Sequence, residues 1–120
     1  MTIPNALYAI NITMEDETER RASGIIGLRD GQIVGGDSFF YYTGAYTADD
    51  GKWKGELITH QHTDTPGKSP LFGGREVGCG FSGTYANGTA QVHGTALVGK
   101  ASIAFRATMR LLVPFAPGPV

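Results

Sequence analysis

One pattern occurs twice in this chain and constrains its fold more than any other feature. The copies are Thr43–Gly55 (TGAYTADDGKWKG) and Ser82–Gly94 (SGTYANGTAQVHG). In both, the first and last glycines are eleven positions apart and enclose an Asp-Gly or Asn-Gly pair. These pairs supply the positive φ angles that tight hairpin turns require. Each copy therefore predicts a strand, a turn and a return strand, and the β-hairpin is the expected building unit.

The remainder of the chain shows the same alternation of apolar and polar residues, with a period of two that is typical of half-buried strands. We predict that Gly35-Gly36-Asp37-Ser38 ends the third strand at once. Eight strands joined mostly by tight turns form a meander, which removes its exposed edges most simply by closing. The prediction is one all-β domain over residues 1–120, an eight-stranded antiparallel up-and-down barrel of the lipocalin or calycin type. The expected strands cover about 7–14, 22–28, 33–34, 39–47, 52–57, 77–85, 92–98 and 103–111.

The interior of such a barrel is either filled by side chains or wide enough for one small ligand. Alternation places Gly24, Gly55, Gly83 and Gly94 on inward faces, where they leave room for large neighbours or allow sharp coiling. A small apolar ligand in the interior is one of the two outcomes that the sequence leaves open. The residues expected to line a cavity are Ile10, Ile26, Trp53, Phe81, Tyr85, Phe105 and Met109.

Charge and composition narrow the classes of partner. Ten basic and eleven acidic residues nearly cancel, and without a Lys/Arg cluster we expect no direct contact with nucleic acid. No apolar run is long enough to cross a membrane. The segment Met1–Asn5 lacks the features of a signal peptide and Cys79 is the only cysteine, so a cytoplasmic location is expected.

Motifs that resemble catalytic or cofactor sites have simpler explanations. Gly78–Gly83 matches the dinucleotide-binding fingerprint, but alternation continues through it and no helix follows. The spacing of the three histidines, His60, His62 and His93, is weak evidence for a metal site, and we expect them on the outer surface. Cys79 alternates with apolar residues, which is typical of a small buried hydrophobe. We therefore expect no enzyme activity, no cofactor and no metal.

Four consecutive aromatic residues, Phe39–Tyr42, cover both faces of one strand, although only one face can look into the barrel. The outward pair is either Phe39 with Tyr41 or Phe40 with Tyr42. With the apolar segment 111–115, such a pair indicates an interaction surface. We predict a homodimer with Phe39 and Tyr41 at its interface, the alternative being cover by the long loop from about 61 to 74.

The chain resembles the GrlR-like family of small bacterial regulators in four segments. These are Ala6–Ile10, Asp30–Ile33, Gly35–Asp37 and Thr43–Tyr46. The resemblance implies a lipocalin-like barrel, a dimer, and negative control of type III secretion through binding of a transcriptional activator. It covers mainly the first half of the chain, and the second half matches by strand pattern.

The partner-binding feature of that family is an acidic turn between the fourth and fifth strands, which corresponds here to Asp49 and Asp50. The resemblance implies that these carboxylates contact the partner, while Asp-Asp-Gly is also an ordinary hairpin turn. The expected function is that of a non-enzymatic regulatory protein that binds another protein, which the resemblance implies is a transcriptional regulator. The alternative is a carrier that holds a small apolar ligand or lipid inside the barrel.

Overall fold

The computed structural model describes residues 3–15, 21–64, 76–98 and 100–116, which form a closed barrel of eight antiparallel strands. Consecutive strands pair with one another, and the last pairs with the first to close the sheet. This architecture confirms the predicted fold class. Within the described ranges, no helix is long and apolar enough to cross a membrane. The strands are β1 (Ala6–Met14), β2 (Arg21–Arg29), β3 (Gln32–Gly36), β4 (Phe40–Asp49), β5 (Lys52–Gln61), β6 (Val77–Ala86), β7 (Thr89–Val98) and β8 (Ala101–Pro114).

Three two-residue turns lie at one end of the barrel, which we call the turn end. They are Asp30-Gly31, Asp50-Gly51 and Asn87-Gly88, and all six residues have positive φ angles between 48° and 87°. Positive φ at both central positions is the signature of the hairpin turn whose twist matches that of the strands. The carbonyl of each turn glycine also accepts a hydrogen bond from the next strand, as in Tyr46 N to Gly31 O at 2.9 Å. The turns thus connect neighbouring hairpins as well as closing their own.

Two sequence predictions about the strands need correction. Gly35 and Gly36 do not end β3 but extend it, because they pair with Tyr42 and Tyr41 of β4. The C-terminal apolar segment lies beside β1 and β2 and not beside the aromatic strand β4. There the Phe115 ring lies against Gly27 and 5.1 Å from the Arg29 guanidinium. Residues 65–74 of the predicted long loop lie outside the described ranges.

Inward-facing glycines allow aromatic side chains to fill the barrel, as expected. A methyl group on Gly83 would collide with the Gln91 carbonyl and approach the Trp53 ring, and one on Gly94 would lie 2.5 Å from the Phe105 ring. The space that these glycines leave is taken by aromatic contacts, including Trp53 edge-on to Phe81 at 4.7 Å between ring centroids. Close packing of this kind leaves the interior little free volume.

Asp37 organises the connection between β3 and β4 at the opposite end of the barrel. Its Oδ1 accepts hydrogen bonds from the backbone N–H groups of Phe39 and Phe40, both at 2.9 Å, and its Oδ2 accepts one from the Tyr42 hydroxyl. Burial, followed by this hydrogen bond and the Asp37 charge, raises the pKa of Tyr42 well above its usual value. The neutral phenol therefore remains a donor, and the contact directs Tyr42 into the barrel.

We predict that Asp37→Ala lowers the free energy of unfolding by about 2–3 kcal/mol, because three donors lose their acceptor. Chemical denaturation monitored by tryptophan fluorescence measures the change. Ser38→Ala, at the exposed neighbouring position, is the matched control and should stay within about 0.5 kcal/mol of the native protein. Equal stability of Asp37→Ala and the control would contradict the role given to this carboxylate.

Candidate functional site

The barrel interior contains a cavity with a free volume of only about 30 Å³. That volume accommodates one or two water molecules and is far below the roughly 300–1,000 Å³ of typical ligand pockets. Its lining includes six of the seven residues expected from the sequence, namely Ile10, Ile26, Trp53, Phe81, Phe105 and Met109. The interior is therefore largely filled by these side chains.

Tyr85, the seventh residue expected in the cavity, does not line it. This residue occupies the last inward position of β6, one residue before the strand ends, and it lines a cleft at the turn end instead. Alternation identified the correct face of the strand but not the height of the side chain along the barrel axis.

Two buried polar atoms in the lining have no hydrogen-bond partner among the described residues, Trp53 Nε1 and Thr59 Oγ1. Thr59 is the only polar residue among the buried positions of the described ranges, with 3 % of its surface exposed. Thr59 was not among the predicted cavity residues, although it continues the inward series of Trp53 and Leu57 in β5. The Cys79 thiol also lines the cavity, and burial raises its pKa to about 11, so it stays neutral.

Asp49 and Asp50 are both exposed at the turn end but differ in their surroundings. Asp49 lies on the outer face directly across from Lys52, whereas Asp50 borders a cleft of about 510 Å³. Ile3, Pro4 and Tyr8 line the same cleft. Neither aspartate forms an ion pair with any side chain in the described part of the chain. Asp50 is thus a carboxylate beside a largely apolar cleft, an arrangement that suits a cationic side chain with an apolar stem.

Two side chains determine the chemistry of this cleft, the Tyr8 phenol and the Asp50 carboxylate. The Tyr8 hydroxyl donates a hydrogen bond to the Pro4 carbonyl at 2.6 Å, which holds the N-terminal segment against the barrel end. Burial, followed by the nearby Tyr46, raises the pKa of Tyr8 to about 12, so its phenol is neutral at physiological pH. The carboxylate of Asp50 therefore supplies negative charge at the rim of the cleft.

The structure decides which aromatic residues of the 39–42 segment face outward. Phe40 and Tyr42 are buried inside the barrel, while Tyr41 is 45 % exposed on the outer surface. Phe39 precedes β4 and is half-buried. Outside the barrel, Tyr41 stacks on His60 with ring centroids 4.7 Å apart. Of the predicted interface pair, Tyr41 is therefore the more exposed residue, and Phe39 is half-buried.

The histidines serve other contacts. His60 lies 3.0 Å from Glu76 through its Nδ1, and His62 lies 3.1 Å from the Asp37 carbonyl through its Nε2. His93 is exposed on β7 and pairs with Ser82 and Arg106. Within the ranges that the structure describes, no group of three His, Cys, Asp or Glu side chains is placed to hold a metal ion.

Tyr41 belongs to a larger group of exposed hydrophobic residues on neighbouring strands. Val34 lies across from Thr43, which lies across from Ile58, so the side chains form a continuous row on the outer sheet. We call this surface the outer apolar face and define it by the exposed residues Ile25, Val34, Tyr41 and Ile58, which lie on the consecutive strands β2 to β5. Patches of this kind on a folded domain are typical of interaction surfaces.

Comparison with known proteins adds no family assignment. No protein-family model matches the chain, and no curated protein matches it significantly.

We predict that Thr59→Val raises the free energy of unfolding by about 1 kcal/mol, because it replaces an unpartnered buried hydroxyl with a methyl group of similar size. Thr95→Val, an exposed position on β7, is the control for the same chemical change. Thermal and chemical unfolding of both variants give the comparison. A loss of more than about 1 kcal/mol on Thr59→Val would indicate that the hydroxyl has a partner in solution, such as a bound ligand.

Proposed function

We propose that this protein is a non-enzymatic regulatory protein that acts by binding another protein. The observation that carries the proposal is the filled interior, since a cavity of about 30 Å³ favours a protein that interacts through its surface. The resemblance to the GrlR-like family supplies the regulatory role and the class of partner, a transcriptional activator of a secretion system. We also propose a cytoplasmic location, which the single cysteine favours.

The proposed partner site is the turn end around Asp50. An exposed carboxylate that forms no ion pair with the described residues attracts a basic surface and keeps most of its charge available for that contact. The neighbouring cleft adds apolar surface to the charge. Asp49 contributes less in this arrangement, because Lys52 lies directly across from it.

A second function, carriage of a small apolar ligand, has one observation in its favour. Thr59 Oγ1 and Trp53 Nε1 are buried donors in the lining of the interior, and neither has a partner among the residues that the structure describes. Buried polar groups are normally hydrogen-bonded. A ligand with an acceptor group would satisfy one of them. The carrier function requires the side chains of the interior to move apart, and the Thr59→Val comparison tests it.

We further propose that the protein forms a homodimer through the outer apolar face. Tyr41 is the aromatic anchor of this face, and such residues contribute much of the binding energy of protein interfaces. Phe39 is half-buried and contributes at the edge.

We predict that the double variant Asp49→Asn/Asp50→Asn weakens partner binding about tenfold at low ionic strength and reduces its salt dependence. The fold should be preserved, since Asn-Gly is as good a hairpin signal as Asp-Gly and tolerates the positive φ of residue 50. The two single variants should show a larger effect for Asp50 than for Asp49.

The measurement compares proteins retained from native-host extract by the immobilised native protein and its variants, identified by mass spectrometry and confirmed with the purified partner. Glu56→Asn, a charge removal elsewhere on β5, is the control. Unchanged affinity of the double variant for the confirmed partner at low salt would show that this turn is purely structural.

We predict that Phe39→Ser/Tyr41→Lys shifts the native dimer toward monomer, because it places a charge in the apolar face. Analytical ultracentrifugation measures the shift. Leu112→Ser, an exposed apolar position on β8, controls for loss of surface hydrophobicity elsewhere. A double variant as dimeric as the native protein would exclude these two residues from the interface.

A further inference from the structure

Two buried aromatic residues at the start of β4 lie outside the packed core. In the described ranges, every buried hydrophobic residue belongs to one cluster except Phe40 and Tyr42, although each of these has only 6 % of its surface exposed. Both lie at the end of the barrel opposite the turn end, because β4 begins there with Phe40. We call them the β4 aromatic pair. Packing against the core contributes less to their burial than to that of the other interior side chains.

Hydrogen bonds from the β3–β4 connection hold the β4 aromatic pair in place. Asp37 Oδ1 accepts the backbone N–H of Phe40 at 2.9 Å, and Asp37 Oδ2 accepts the Tyr42 hydroxyl. The Asp37 N–H donates to the Phe40 carbonyl at 2.9 Å. Protein hydrogen bonds can be exchanged for bonds to water at a small net cost, whereas core packing is lost outright when a side chain leaves. Side chains held in this way leave the interior more readily than core residues do.

The strand that leads into this connection is the shortest of the barrel. β3 has five residues, and its pairing with β2 ends at Ile25 and Gly36. Beyond Ile25, β2 continues to Arg21 in its pairing with β1. Strand ends with few ladder hydrogen bonds open locally at a lower free energy than the middle of a sheet. The β3–β4 connection can therefore move while the other strand pairs stay intact.

Tyr42 is the member of the β4 aromatic pair that borders the interior cavity. Every other hydrophobic side chain of the lining belongs to the core cluster or packs against it. Thr59 lies directly across from Tyr42, and its buried hydroxyl has no partner among the described residues. Outward movement of the Tyr42 ring would enlarge the cavity toward this end of the barrel and give water access to Thr59 Oγ1. Hydration of that hydroxyl lowers the cost of the movement.

We propose that the β4 aromatic pair is a gate to the interior, held closed by Asp37, that opens while the rest of the barrel stays folded. Its opening admits water or a small neutral molecule, because no charged side chain of the described residues lines the cavity. The inference is independent of the protein partner and of the dimer, since it concerns access to the interior alone. It also identifies the side chains that a ligand of the interior would have to displace.

The chain has a natural reporter toward each end of the cavity. Cys79, the only cysteine, is 4 % exposed and is the second inward residue of β6 counted from the gate. Trp53, the only tryptophan, lies at the other end of the cavity, just after the turn that begins β5. Both side chains line the cavity. Opening of the gate should expose the thiol more than the indole, whereas global unfolding exposes both.

The test measures alkylation of Cys79 by iodoacetamide together with acrylamide quenching of Trp53 fluorescence. Tyr42→Phe keeps the aromatic ring but removes the hydrogen bond to Asp37. It should accelerate alkylation at least about tenfold, because a hydrogen bond to a charged acceptor shifts an equilibrium by that much or more. Quenching of Trp53 should change by less than about twofold, since the turn end stays closed.

Asn5→Ala is the matched control at the opposite end of the barrel. It removes two hydrogen bonds between the side chain of Asn5 and Asp30, at 2.9 and 3.0 Å. Because these bonds are remote from the gate, alkylation of Cys79 should stay within about twofold of the native rate.

Urea dependence separates gate opening from global unfolding. Alkylation of each variant is measured at low urea concentrations, and its free energy of unfolding is determined in parallel. Gate opening predicts that the native protein reacts faster than global unfolding allows, at a rate that low urea hardly changes, because little surface is exposed. Two results would each overturn the proposal. One is a Cys79 that reacts, in the native protein and in Tyr42→Phe, only at the rate set by global unfolding; the other is an equal acceleration by Asn5→Ala.

Discussion

The barrel depends on the register of its hairpins, and that register is set by three two-residue turns at one end. Each turn has positive φ at both central positions, and a slip by one residue would exchange the inward and outward faces of a strand. The turn glycines also accept hydrogen bonds from the following strand, for example Leu111 N to Gly88 O at 2.7 Å. The filled interior and the apolar outer face both follow from this register.

The same register determines which glycines face the barrel interior and which face outward. Inward glycines such as Gly83 and Gly94 remove side chains where Trp53 and Phe105 need space, so the barrel closes around a packed aromatic interior. By contrast, a methyl group on Gly78 or Gly80, on the outer face of β6, would meet no atom of the described residues within 4 Å. We therefore infer that the interior serves stability and that the outer surface and the turn end carry the interactions.

Much of this fold was predictable, because alternation and turn chemistry are local properties of the sequence. Strand order, the inward glycines and six of seven cavity residues followed from them. The position of a side chain along the barrel axis depends on the shear between strands, which no local pattern records. Tyr85 was therefore expected in the interior cavity, whereas it lines the cleft at the turn end. Thr59 was visible in the alternation of β5 and was overlooked.

Native mass spectrometry of the protein isolated gently from its host tests most directly whether it acts through its surface. The account predicts a homodimer, alone or with a second protein, whose mass contains no small apolar molecule. A monomer that carries such a molecule in stoichiometric amount would contradict it. In that case the approximately 30 Å³ cavity would have to expand on binding, and Thr59 would become the first residue to examine for a contact with the ligand.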